Sequence, residues 1–547
     1  MTEVFINDNR LDLVDKSVAQ TFQINDIGNL DTRQTSYTNR FKVPKTPNNI
    51  RLFNGLSFIG KYHEVDLDSE QFPYGTPQAR IVENGIELLS NGYAVASDSG
   101  SNYYSINIYG NEKTFFEKLK EYTLQDVFPE TIITYSTAGI ASNVLNDNLF
   151  IFTLLHYNEE TKGMGSLEAN QTNPGFPYLE LYTERITPQF YAKDLFNNIF
   201  NFLGYSVVNP LTTNENFNNL LVSASKTVSS FDIDYGSEFD IKNVAPIMRL
   251  NKFLSEIMYR FGLLIKINER TKTVHFKNID DLILNGGLVN WSNKFHGFKK
   301  EIYKLSNYAI LNNFKYSNDV VQWSDFLGLA NELQGSFNIL NKNLGIEKTI
   351  INSDFSKPKY AKWKESNDYS WGRFFVHSSS GGEYNYWMLD MDEYKTDEDG
   401  SIESYTESFV PQLFYRTKLN FDFKYKFRLP DGNYETFTKN YAYLATYPEI
   451  NFQDYIDNYY QEFIKLLNHT QVINAIINLN TIDIYNLDFF KKIYIKQLGG
   501  EFYLNKVKNY KAGKLTEVEL VRIPTSTQSV YGVYGGYSET SQMIGTI

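Results

Sequence analysis

Cysteine is absent from this 547-residue chain. Disulfides, thiolate nucleophiles and Cys-ligated zinc are excluded with it, so stability has to come from packing or assembly. Histidine is scarce: His63, His156, His275, His296, His377 and His469 are scattered, with no pair at metal-ligand spacing. A lone His on the polar face of a strand is ordinary, and no metal site is expected. Phosphate loops, nucleophile elbows and dinucleotide fingerprints are also missing. Gly499-Gly500 lies between strand candidates, with no helix to aim a dipole at a phosphate. Positive charge is short too. The formal net charge is −12, which argues against a nucleic-acid binder and gives no attraction to anionic membranes. No apolar run approaches the ~20 residues that span a bilayer. Met1-Thr2-Glu3 lacks the basic-then-apolar order of a secretory signal. No cofactor, no membrane anchor and no enzymatic activity are expected.

What is present is aromatic. Tyr and Phe occur 41 times each, and 16% of the residues are aromatic. Tyr packs its ring while its hydroxyl stays wet, which suits half-exposed strands; a dedicated ligand surface is the other reading. Hydrophobic residues, at 42%, suffice to fill several cores. The length suggests about three or four domains.

The stretch Pro246–Leu282 organises the rest. Ile247, Leu250, Phe253, Leu254, Ile257, Met258 and Phe261 recur at three- and four-residue spacing, which predicts one apolar helical stripe. Gly262 follows as a left-handed cap. Leu263, Ile265 and Ile267 then alternate, Asn268–Lys272 turns, and Val274 and Phe276 resume the alternation with His275 and Lys277 facing away. A helix and hairpin of this size cannot bury both apolar faces alone, so they must dock on a larger sheet.

The remainder reads as α+β and β-rich, with several sheet-based domains, short covering helices and an inserted β-rich or loop region. Residues 1–127 form an N-terminal β-rich domain: Val4 and Ile6 alternate, Asn7-Asp8-Asn9 turns, and Asn84-Gly85 joins a hairpin. Tyr93–Ala96 and Tyr103–Tyr109 add strands, and Phe115–Tyr122 a covering helix. Within it, Gly28–Asn49 is polar and carries Pro44 and Pro47, which makes it an extended arm or an edge. Its Arg33, Tyr37, Arg40, Phe41 and Lys42 are candidates for clamping a neighbouring subunit's acidic face; a solvated loop is the alternative. Residues 128–245 read as an α+β domain. There Leu149–Leu155 is strand-like, Gly163–Pro177 a loop, and a helix runs from Thr187 to Leu203 with Gly204 as its cap and Tyr205–Val208 as its strand. This helix–Gly–strand order recurs at Phe253–Ile267 and suggests a duplicated substructure. Residues 246–341 hold the helix-hairpin unit and a strand at Tyr308–Tyr316. Residues 342–431 are an aromatic and acidic insertion. Residues 432–524 add one helix, Asn451–Leu467, and strands at Ile493–Ile495, Phe502–Val507 and Thr516–Ile523. The tail 525–547 is rich in Gly, Ser, Thr and Tyr.

Inside the insertion, Trp363, Trp371, Tyr386 and Trp387 stand beside Asp390 and Asp392. Aromatic faces with carboxylates are what sugar sites use, and a carboxylate pair at the right separation hydrolyses glycosides. A satellite core of loop aromatics is the plainer reading. The acidic run from Asp390 to Gly400 does not fit a twelve-residue calcium loop, because the bidentate Glu position holds another residue type.

Three patches carry a resemblance. Gln23–Gly28 with Ser36–Thr46, Phe253–Leu263 with Thr271–Phe276, and Lys491–Tyr510 with Lys514–Leu520 resemble tail proteins of tailed bacteriophages and prophages of Bacteroidota. That likeness implies a tail-tip or baseplate hub built from tail-tube-like sheet domains. Such hubs close into a ring around the DNA channel, with a trimer favoured and a hexamer possible. The expected partners are further copies of the chain, the tail tube and other baseplate or fibre proteins. DNA would pass without specific binding, and an acidic lumen would keep it from sticking. The protein is expected to be made in the host cytoplasm and to end in the virion. A host-glycan receptor-binding tail protein is the alternative, and a tail-associated glycan hydrolase the third.

Overall fold

Helix, tight turn and hairpin follow one another between Leu250 and Asn278 in the computed structural model. The structure describes residues 1–15, 17–26, 36–53, 56, 72–110, 112–153, 167–168, 178–182, 187–226, 228, 231, 233–305, 307–316, 334–355, 359–360, 373–377, 383–387, 389–390, 394–396, 402–405, 411–419, 423–439, 442–446 and 451–524. Leu250–Arg260 is helical and buries Leu250, Phe253, Leu254, Ile257 and Met258 on one stripe. Leu263–Asn268 and Thr273–Asn278 pair antiparallel, with Ile265 opposite Phe276 and Ile267 opposite Val274. Ile247 departs from the expectation. It precedes the helix, in a segment where its N–H donates to Ser225 Oγ at 2.6 Å, and is 42% exposed.

The two helix–Gly–strand units meet on one sheet. Ser206–Val208 lies parallel to Thr273–His275 on one side, and Leu263–Asn268 runs antiparallel on the other. Phe196 and Phe200, from the helix Ala192–Leu203, contact Phe276 at 5.2 and 5.6 Å between ring centroids. That helix begins later than Thr187, because Gln189–Tyr191 first forms a strand against Leu221–Ser223. The Gln189 side chain accepts from Thr153 N–H at 2.9 Å and fixes the segment in the sheet. Aromatic contacts then run on through the core from Phe196 to Phe217, Phe261 and Tyr455. Among the described residues, much of the Tyr and Phe content is core.

Fourteen strands form the main sheet, labelled here in chain order. They are β1 Thr2–Ile6, β2 Asn9–Arg10, β3 Gln20–Phe22, β4 Tyr37–Thr38, β5 Phe41–Pro44, β6 Gln78–Glu83, β7 Ile86–Ser99 and β8 Tyr103–Tyr109, followed by β9 Gly287–Asn290, β10 Phe295–Ile302, β11 Val472–Ile477, β12 Lys491–Ile495, β13 Gly500–Tyr510 and β14 Thr516–Ile523. Their order is β2-β1-β6-β7-β8-β4-β3-β13-β14-β11-β10; β5 also pairs with β8, and β12 joins β13 to β9. The turn residues act as their sequence suggests: Asn7, Asp8, Asn84 and Gly85 all take positive φ. β7 is one continuous strand where two were expected. The N-terminal strands keep a small core of their own, in which Phe53 stacks between Phe72 and Tyr104 at 4.6 and 4.2 Å.

The C-terminal half of the sheet is rolled. β9 and β10 lie at opposite edges of the run β9-β12-β13-β14-β11-β10, yet only Trp291–Lys294 separates them in sequence. Six flat strands would hold their edges about 24 Å apart. The step from Asn290 to Phe295 reaches at most about 18 Å. The sheet has to curl to satisfy the chain.

Other expectations need correction. Asn451–Leu467 is two helices, Phe452–Tyr459 and Gln461–Asn468, broken where Tyr460 takes φ −129° and sends its hydroxyl to the Tyr259 carbonyl at 2.6 Å. The strand expected over Leu149–Leu155 is Phe150–Ile151, with 154 and 155 outside the described residues. In the expected loop Gly163–Pro177, Leu167–Glu168 is a short strand paired with Tyr178 and Leu179. The arm Gly28–Asn49 is largely built in: Tyr37–Pro44 supplies β4 and β5, and Pro47–Leu52 is a helix capped by Thr46. Residues 28–35 and the tail 525–547 lie outside the described residues.

Gly262 and Gly204 provide a matched test of the turns. Both have positive φ, at +57° and +76°, but only Gly262 is crowded, with a Cβ placed 2.9 Å from the Tyr459 carbonyl oxygen. Gly204→Ala should cost about 1–2 kcal/mol in urea unfolding, the strain of a left-handed residue. Gly262→Ala should cost clearly more. Equal losses at the two positions would contradict the packing described.

Candidate functional site

The expected arm residues fall at the seam between the two halves of the main sheet. Tyr37 in β4 pairs with Tyr109 of β8 and with Thr21 of β3. β3 in turn pairs with β13, with Gln20 opposite Tyr510 and Phe22 opposite Val507. Asn39 Nδ2 donates to Asn509 Oδ1 at 2.6 Å across 470 residues of sequence. Phe41 and Lys42 lie in β5, where Lys42 Nζ sits 3.9 Å above the Tyr103 ring. Arg40 pairs with Asp98, and both are about half exposed. Arg33 lies outside the described residues. Of the glycan candidates, Trp363 and Trp371 also lie outside, as does Asp392. Tyr386 and Trp387 belong to the strand Glu383–Trp387, which pairs with Arg373–His377; Asp390 lies in the strand Leu389–Asp390.

Beside the seam is a cleft of about 440 Å³, where β3, β7, the hairpin turn and residues 484–489 converge. Asn25 anchors one wall by exchanging two bonds with the Ile265 backbone, at 2.8 and 3.2 Å. Lys266 Nζ reaches Asp488 Oδ1 at 2.9 Å. Burial would raise the Asp488 carboxyl, but the Lys266 bond and the Phe490 N–H outweigh it and hold it below the usual range. Arg270 donates to the Glu87 carbonyl and lies 5.0 Å over the Tyr485 ring. Glu269 accepts from Tyr205 Oη and Lys272 Nζ, each at 2.7 Å. Burial and the Lys266 charge both lower His275. These cations and carboxylates are already partnered, so the cleft works as a joint that ties the hairpin to both ends of the chain. Among the described residues, no group of three His, Asp or Glu could hold a metal ion, and no helix is long and apolar enough to cross a membrane.

The most buried charges lie behind the hairpin, where sequence reasoning saw only a helix stripe. Glu256 and Arg260 form an ion pair at 1% and 0% exposure. Glu256 also accepts from Ser353 Oγ at 2.8 Å and from the Asp354 N–H at 2.6 Å. Arg260 donates to Tyr316 Oη at 3.3 Å, and its guanidinium lies 4.7 Å over the Phe452 ring. Burial pushes the Arg260 pKa down, but Tyr316 and Glu256 outweigh it and hold it raised. The i, i+4 spacing was visible in the sequence; only the fold shows that the pair is inside. Removing one partner leaves an unpaired buried charge, a loss of about 3–5 kcal/mol. Arg260→Met should therefore destabilise by that order in urea unfolding, while Glu256→Met with Arg260→Met in one chain should lose less. A double variant weaker than both singles would refute this account.

A half-buried carboxylate caps a neighbouring helix. Asp280 accepts from the N–H groups of Glu462 and Phe463 at 3.0 and 2.9 Å, at the start of Gln461–Asn468. Burial nevertheless lifts its carboxyl to about 6. In the unfolded chain it titrates near ~3.9. Between those values the folded protein holds a proton that the unfolded chain has released. Its stabilising contribution is therefore full below the lower value and is lost as pH rises through the upper one. Asp280→Asn keeps an acceptor but cannot titrate. Urea unfolding at stepped pH should show a flatter profile between about 4 and 6 for this variant than for the unaltered chain; identical profiles would count against the assignment.

No family profile matches the chain, and no curated protein matches it. Among solved structures, the chain is similar to the 43 kDa tail protein of prophage MuSo2 from Shewanella oneidensis. Identity is 6%, coverage is 95% of this chain and 97% of that one, and the TM-score is 0.33. It is also similar to the prophage tail protein gp18 from Listeria monocytogenes EGD-e, at 8% identity, 95% and 94% coverage and a TM-score of 0.30. Scores this low establish neither a shared fold nor a shared role.

Proposed function

We propose that this chain is a structural protein of a bacteriophage tail, forming a ring at the tail tip or baseplate hub. It would connect the tail tube to receptor-binding parts and line the DNA channel. One observation carries the reading. The three stretches that resemble phage tail proteins, at the start, middle and end of the chain, converge in space. Asn25 of the first binds Ile265, which lies between the two parts of the second and pairs with its Phe276, and Asn39, also of the first, binds Asn509 of the third. β12, β13 and β14 of the third form the rolled half of the main sheet. A likeness spread over patches that assemble into one joint is what a shared scaffold would leave.

The net charge of −12 supports passage of DNA without binding. The built-in arm leaves Arg40 and Lys42 at the surface, where they could meet an acidic face of the next copy. Light scattering and electron microscopy of the purified chain should give a closed ring, a trimer first of all, that co-purifies with tail tube. A monomer that binds host surface polysaccharide would replace this reading with the receptor-binding one. A monomer that hydrolyses it, and stops when Asp392→Asn is introduced, would replace it with the hydrolase.

A further inference from the structure

The outer edge of the hairpin strand Leu263–Asn268 carries a buried backbone pair that nothing meets. Residues of an antiparallel strand send their N–H and C=O groups alternately to the two sides. Ile265 sends both away from Thr273–Asn278, where Asn25 takes them. The Ile265 N–H donates to Asn25 Oδ1 at 3.2 Å, and its carbonyl accepts from Asn25 Nδ2 at 2.8 Å. Ile267, two residues on, therefore presents its own N–H and carbonyl to the same side. It lines the cleft of about 440 Å³ and is only 7% exposed. The same alternation leaves it out of the bonds to Thr273–Asn278, and among the described residues no other group bonds its backbone. Buried backbone groups are almost always paired, so this edge calls for a donor and an acceptor from outside it.

Asn25 shows what fits. A planar amide that donates with one atom and accepts with the other satisfies this edge, and the backbone of an added strand supplies the same two atoms. The ligand has to be uncharged. Lys266, Glu269, Arg270 and Asp488 already meet partners around the cleft, and a further charge would lose its water without gaining one. Phe22, Ile24, Leu88 and Phe489 add apolar surface. Residues 525–547, outside the described residues, hold a segment of that kind: Glu539 is their one charge, and 530–537 contains only Val, Tyr and Gly. Val and Tyr favour strands. The segment also starts within reach. Ile523 pairs with Glu501 and Glu501 with Tyr494 of β12, and the residues just before β12 line the cleft. Two strand spacings and the six steps back to Asp488 amount to at most about 22 Å. The ten residues from Pro524 to Val533 span up to about 33 Å. We propose that residues 530–537 add as a short strand to the Ile267 edge of the same copy.

Hydrogen exchange of the full chain, read to single residues by mass spectrometry, tests this contact. The Ile267 amide should exchange slowly. Val530→Pro with Val533→Pro removes two backbone donors from the segment, at positions beyond β14 and outside the described residues. It should speed exchange at Ile267 by about tenfold or more and leave Lys266 and Asn268, which bond the other strand, unchanged. A synthetic peptide of residues 527–538 added to the proline variant should slow it again. Fast exchange at Ile267 in the unaltered chain would mean that water alone meets the edge. Slow exchange indifferent to the prolines would mean that something other than 530–537 covers it. Either result overturns the proposal, as would protection that fades on dilution, which would assign the strand to a neighbouring copy. The ring reading does not depend on any of these outcomes; light scattering decides it separately.

Discussion

The ion pair between Glu256 and Arg260 constrains more of this molecule than any other contact. Neither charge has water to turn to, so each must be met by protein. Meeting them fixes the end of the strand Gly345–Ser353 through Ser353 and Asp354, the strand Ala309–Tyr316 through Tyr316, and the helix Phe452–Tyr459 through the face of Phe452. A helix held that firmly delivers Gly262 and the hairpin in one orientation. Such a pair adds less to net stability than to specificity: displacing any partner strands a charge.

From that anchor the hairpin reaches in two directions. Asn25 and the Arg270–Glu87 contact bring in the first hundred residues, and Lys266–Asp488 brings in the last hundred. β3 and β4 then complete the seam, with backbone bonds between residues nearly the whole chain apart. Closing loops of that length is slow, because the entropy is lost before the contacts form. Local units such as the β6–β7 hairpin and the helix-hairpin are therefore expected to form first and the seam last.

Rolling brings the two edges of the C-terminal half of the sheet together without closing it. A sheet that closed on itself would have no edges, but β9 and β10 come near each other without pairing. Partnered charges fill the cleft beside the seam, and carboxylates such as Asp280 and Asp488 serve helix ends and lysines.

Local periodicity by itself determined the helix at Leu250–Arg260, the hairpin after it, the Asn84-Gly85 turn and the last strands of the chain. Each of these has one dry face and one wet face, and a period of 3.6 or 2 records that difference directly. The run Val472–Ile477 is not legible as a strand in the sequence, because a strand buried on both sides has no polar alternation to betray it. Gln189–Tyr191 carries no local sign of a strand, because its partner, Leu221–Ser223, comes from a distant part of the chain. The arm was legible as extended but not as part of a sheet, since the strands that hold it are β8 and β3. Burial of Glu256 with Arg260 and the meeting of both chain ends were decided by tertiary structure alone. A residue's charge and shape are written in the chain, but whether water can reach it depends on what distant segments pack against it.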